Sequence, residues 1–110
     1  MTLNEYQKLA ERTIPDKLSC SEAKLHAIHG MVGEIGEINS IYQKVYQGHP
    51  IDREHIMKEL GDLIWFVSEY CSASGWELND ICKMNINKLR ARYPDGFDEE
   101  RSLNREDGDI

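Results

Sequence analysis

Four carboxylates stand out by spacing: Glu34 and Glu37 in GEIGEI, then Glu59 and Asp62 in KELGDL. Each pair is acid-x-x-acid, each lies among apolar residues, and each has a glycine directly before its second acid. On a helix, residues three apart share a face. With Met31 set to zero at ~100° per residue, Ile35, Ile38, Tyr42 and Val45 cluster within about 40° of it, and Ile41 extends the stripe to about 280°. Glu34 then falls at about 300°, inside the stripe, and Glu37 at about 240°, on its border. With Ile56 set to zero, Leu60, Leu63, Val67 and Tyr70 cluster likewise, with Phe66 near 280°, Glu59 at about 300° and Asp62 at about 240°. Two helices thus place their acids in the same relation to their apolar faces. Acids usually sit on solvated faces, and chance placement does not reproduce one offset twice.

Carboxylates facing one another in a half-buried seam repel and raise each other's pKa. A cation relieves this. All-oxygen ligation suits magnesium, with manganese as an acceptable substitute, better than iron or zinc. A di-iron bundle would need Glu-x-x-His pairs, and neither first acid is followed by histidine at that step. Gly30, Gly33, Gly36 and Gly61 each cost about 1 kcal/mol relative to alanine in a helix. Their clustering beside the acids predicts close backbone approach or room for a ligand.

The elements that must hold these acids are helical. Prolines 15, 50 and 94 mark the breaks, and no period-2 alternation suggests strands. Asn4 is expected to cap a first helix reaching about Thr13. Ser19 or Ser21 caps a second, carrying apolar residues from Leu25 to Tyr46 and stopping at Gly48-His49-Pro50. Asp52 caps a third through Tyr70 or Cys71, closed by Ser74-Gly75. A fourth runs from Leu78 to Arg92, with Ile81, Cys82, Ile86 and Leu89 as its core stripe. The expected fold class is all-α and four-helix bundle-like, one domain over residues 1–97. Residues 98–110 form an acidic tail too polar to order itself.

Composition narrows the partners. A net charge of −7 over 110 residues excludes nucleic-acid backbone binding, which needs a basic face. No apolar run is long enough for a membrane span. Three cysteines without CxxC spacing read as reduced, mostly buried thiols of a cytoplasmic protein. Lys88 and Arg92 share one face of the last helix with Asn85 a turn earlier, and Lys58 stands beside the second acid pair; such cations suit phosphate oxygens. His26 and His29 are read as packing histidines, and Trp76, Tyr6 and Tyr93 as packing aromatics. Trp65, opposite the core stripe, is the expected contact with another subunit, in a homodimer or homotetramer.

HAIHGMVGEIGEINSIYQK, KELGDLIWFVSEYC and NINKLRARYPDGF together resemble the MazG-type all-α nucleoside triphosphate pyrophosphohydrolases, from NEYQKLAERT to Phe97. The resemblance implies conversion of a (d)NTP to (d)NMP and pyrophosphate. It implies Mg²⁺ held by Glu34, Glu37, Glu59 and Asp62, and phosphate or nucleotide contact by Lys58, Asn85, Lys88 and Arg92. Two positions depart from the family pattern: His29 replaces a commonly apolar residue, and Glu77 replaces a common Ser or Thr cap. Two alternatives stay open: a relative acting on dUTP, dCTP or phosphoribosyl-ATP, and a non-catalytic metal-binding helical module.

Overall fold

The structure is a computed structural model that describes residues 1–97 and 99–103, without the side chain of Arg101. Its helices are α1 (Leu3–Glu11), α2 (Cys20–Tyr46), α3 (Arg53–Ser74), α4 (Leu78–Arg92) and a short α5 (Glu99–Leu103). The all-α expectation holds. The chain forms two compact units, one from Met1 to Leu78 and one beginning at Asn79.

Local chemistry sets the helix starts. Thr2, not Asn4, caps α1: its hydroxyl accepts from Glu5 N–H, and Glu5 returns a bond to Thr2 N–H. That reciprocal box satisfies two donors and outcompetes a lone asparagine. Ser19 and Glu22 build the same box on α2. The Asp52 side chain accepts from His55 N–H at the start of α3. That helix runs to Ser74, beyond Cys71, because Gly75 supplies the left-handed cap, φ 72°.

In the first unit α2 packs along α3, and α1 lies on α3. The Gln7 side chain ties α1 to the end of α3. Its Nε2 donates to Ser72 Oγ and Trp76 O, and its Oε1 accepts from Leu78 N–H.

The buried face of α2 differs from the expected one. Ala23, Ala27 and Ile41 are buried, while Ile35 and Tyr42 are more than half exposed. The contact face is therefore rotated by about 60° toward Glu34. Small alanines let α3 approach, and that proximity fixes the rotation. Leu60 is likewise largely exposed on α3.

Trp65, half-buried, makes contacts within its own unit: its Nε1 donates to Thr13 Oγ1 at 2.7 Å, and its ring meets Phe66 and His26 edge-on. At Gly30 it is the Phe66 ring, not a neighbouring backbone, that a Cβ would overlap; nothing stands within 4 Å of a Cβ at Gly33, Gly36 or Gly61.

In the second unit Ile81, Ile86 and Leu89 are exposed and Cys82 is half-buried, so the expected core stripe of α4 is not a buried core. Of the other cysteines, Cys71 is buried and Cys20 exposed. The tail expected to stay without structure contains α5, whose first turn carries Glu99 and Glu100, charges that suit a helix N-terminus. The rest of that expectation, on residues 104–110, lies outside the described residues.

Candidate metal centre

The contact face of α2 carries Glu34 and that of α3 carries Glu59 and Asp62, so packing these helices brings the acids together. One carboxylate oxygen from each of the three lies within 4.8 Å of the others. Glu34 and Glu59 are half-buried and Asp62 exposed, so the trio is open on one side. Glu37 is exposed and outside the trio, though its charge still acts on Glu34.

The electrostatics are those of a site short of positive charge. Glu34 is pushed from the ordinary 4.5 up to about 7. The largest cause is a shared hydrogen bond with Glu59, followed by burial and by the charges of Glu59, Asp62 and Glu37. Glu34 Oε2 is buried with no hydrogen-bond partner. An unpartnered buried acceptor in an acidic cluster is what a divalent cation would satisfy. The donor set is all oxygen, which fits magnesium or manganese.

Two neighbours were not expected as site residues. His55 Nε2 lies 3.4 Å from Glu59 Oε1, one turn back on α3. Tyr6 of α1 has its phenol pKa raised, first by burial and then by the charge of Asp62. His55 could have been found from its i,i+4 spacing to Glu59; Tyr6 could not, since only the packing of α1 on α3 places it.

Lys58 Nζ is 3.5 Å from Glu54 Oε1 on an exposed part of α3. Asn85, Lys88 and Arg92 follow one another at three- and four-residue steps on α4, in the second unit. Asn85 is exposed, Lys88 and Arg92 half-buried, and the Arg92 guanidinium sits 5.8 Å from the Tyr93 ring centroid. His29 is exposed. His26 instead meets a buried acid: its Nδ1 lies 2.7 and 2.9 Å from the two oxygens of Glu69, which is 1% exposed. No helix among the described residues is long and apolar enough to cross a membrane.

Comparison with known proteins places the chain in a family. The gene 37 protein of Mycobacterium phage L5 is 31% identical over 72 residues, covering 61% of this chain and 63% of that protein. The chain thus spans less than two thirds of the length of this relative. No solved structure matches. A family model for the MazG nucleotide pyrophosphohydrolase domain matches residues 23–97, a span that holds both acid pairs and all of α4. With two thirds of its length inside that match, the chain belongs to the MazG nucleotide pyrophosphohydrolase family.

Proposed function

We infer that this protein is a magnesium-dependent nucleoside triphosphate pyrophosphohydrolase of the cytoplasm, releasing pyrophosphate from a (d)NTP and serving nucleotide-pool housekeeping. The observation that carries the reading is the trio of carboxylates, one of which has a buried, unpartnered oxygen, Glu34 Oε2. Glu34, Glu59 and Asp62 would hold the cation, with Glu37 completing the set from one turn along α2. A divalent ion held there neutralises phosphate oxygens and lowers the pKa of a bound water.

The chain's own residues divide the remaining work. Glu37, exposed to solvent, orients the attacking water and accepts its proton. Lys88 and Arg92 bind the leaving pyrophosphate as charge develops on it, and Lys58 and Asn85 contact the nucleotide. Lys58 must exchange Glu54 for a phosphate oxygen, an inexpensive step because exposed ion pairs are weak. Phosphoryl chemistry of this kind asks for positioning and charge rather than covalent help.

The test is pyrophosphate release from a panel of ribo- and deoxyribonucleoside triphosphates, with dUTP, dCTP and phosphoribosyl-ATP included. Release that needs magnesium, or manganese in its place, supports the enzyme. Binding of Mn²⁺ without release from any nucleotide would leave a metal-binding module instead.

A further inference from the structure

A fully buried carboxylate is rare and costly unless it is paired. Glu69 is 1% exposed and takes no part in the metal centre, since it lies seven residues beyond Asp62, about 10 Å along α3. Its partner is the imidazole of His26, a side chain 45% exposed. Both Glu69 oxygens face Nδ1, at 2.7 and 2.9 Å. The carboxylate accepts the Nδ1 proton, so a neutral ring carries its lone pair on Nε2. Among the described residues Nε2 makes no hydrogen bond. A pairing that served stability alone has no need of an exposed ring. This one holds an acceptor of fixed tautomer at the surface of the α2–α3 seam.

Aromatic rings flank that acceptor. The His26 centroid is 5.6 Å from Phe66 and 6.3 Å from Trp65, edge-on in each case, and both neighbours are half-buried. Half-buried rings beside a hydrogen-bonding group are the kind of surface on which a nucleobase stacks. Position decides what the group can serve. His26, Gly30 and Glu34 follow at one-turn steps on one face of α2, which places His26 about 12 Å from Glu34 along the helix. On the opposite helix Phe66 is one turn beyond Asp62, so the rings lie between the acids and the imidazole. A general base must come within about 3 Å of the proton it takes, and His26 is too far from the metal centre for that. The separation suits the other end of a nucleotide, whose ribose and base extend away from phosphates held at the acids.

We propose that His26 Nε2 reads the nucleobase at its exocyclic group farthest from the sugar, selecting the amino-bearing bases cytosine and adenine over uracil, thymine and guanine. The N4 and N6 amino groups donate to such an acceptor, whereas O4 and O6 carbonyls set a second acceptor against it. Phe66 and Trp65 supply the apolar wall along which the base lies. Glu69 is the positioning residue: it touches no substrate and acts by keeping the proton on Nδ1. The proposal rests on the hydrolase reading for the place of the phosphates. It is tested by binding, without turnover, so that the two can fail separately.

Calorimetric titration of the full chain at pH 8 with magnesium, using the non-hydrolysable α,β-imido analogues of dCTP, dATP, dUTP and dTTP, should favour the amino pair by about tenfold, the worth of one hydrogen bond gained and one acceptor left unpaired. His26→Asn keeps an amide N–H for Glu69 but has nothing at the place of Nε2. It should bring the ratio close to one, while tripolyphosphate, which carries no base, binds as to wild type. Glu69→Gln, whose amide can donate to Nδ1 as well as accept from it, should lower the ratio at least threefold with tripolyphosphate binding unchanged. Should His26→Asn lose its helical circular dichroism, the wild-type affinities still decide. Equal affinity of wild type for the four analogues, or tighter binding of the dUTP and dTTP pair, would overturn the proposal. So would a folded His26→Asn or Glu69→Gln that keeps the wild-type ratio. Binding of none of the analogues would overturn it as well, and pyrophosphate release from unmodified nucleotides then judges the hydrolase reading by itself.

Discussion

Glu34 of α2 and Glu59 of α3 face each other across the helix seam, with a carboxylate oxygen of each within 4.8 Å of the other, close enough for a proton on Glu34 to be favoured. The proximity of Glu59, burial and the neighbouring charges push the Glu34 carboxyl up to about 7.

A dependence of stability on pH follows. Unfolded, Glu34 loses its proton near 4.5; folded, it keeps it to about 7. Between those values the native state binds more protons, so its stability falls as pH rises. Thermal melts in chelator should show the metal-free protein losing stability over that window, with a flatter profile for Glu34→Gln. Adding magnesium at pH 7.5 should raise the melting temperature by mass action. A metal-free protein that gains as much over the window as Glu34→Gln does would contradict the proton on Glu34.

Glu34→Gln, Glu59→Gln and Asp62→Asn should each abolish magnesium-dependent pyrophosphate release while circular dichroism stays helical. Removing a like charge relieves repulsion, so the metal-free melting temperature should hold level or rise. Near-wild-type turnover in any one removes that residue from the metal set.

Gly30 and Gly61 should respond to alanine in opposite directions. At Gly30 the added methyl meets the Phe66 ring, and overpacking a fitted seam costs about 1–3 kcal/mol. At Gly61 it meets nothing within 4 Å, so lower unfolded-state entropy should stabilise by about 0.4–1 kcal/mol. Urea denaturation of both variants reads the signs directly. A stabilised Gly30→Ala would mean the helices are not packed as described.

His26 and Glu69 should be unequal partners. The Glu69 side chain is fully buried and that of His26 is 45% exposed, so His26→Ala leaves a buried carboxyl group without its partner, at about 1–3 kcal/mol or more. Glu69→Gln keeps an acceptor for the His26 ring and should cost clearly less. Equal losses by chemical denaturation would contradict this inequality.

Much of this was written locally. Acid-x-x-acid spacing and apolar periodicity identified two long helices and the faces that carry Glu34, Glu59 and Asp62, because both follow from 3.6 residues per turn. Ser19, Asp52 and Gly75 were readable as caps, since capping involves neighbours in sequence. The Thr2 box was equally local and was missed only because Asn4 is a competent cap by type.

Which apolar stripe meets α3 could not be read from the chain. α2 has two of them, and hydropathy does not say which one a partner covers. Only tertiary packing selected the face of Ala23, Ala27 and Ile41 over Ile35 and Tyr42, bringing Glu34 to Glu59 and Asp62. The same packing brought Tyr6 toward Asp62, joined His26 to Glu69 across 43 residues and turned Trp65 to Thr13. Those contacts depend on where α1 and α2 settle on α3, and no spacing within a single helix encodes that.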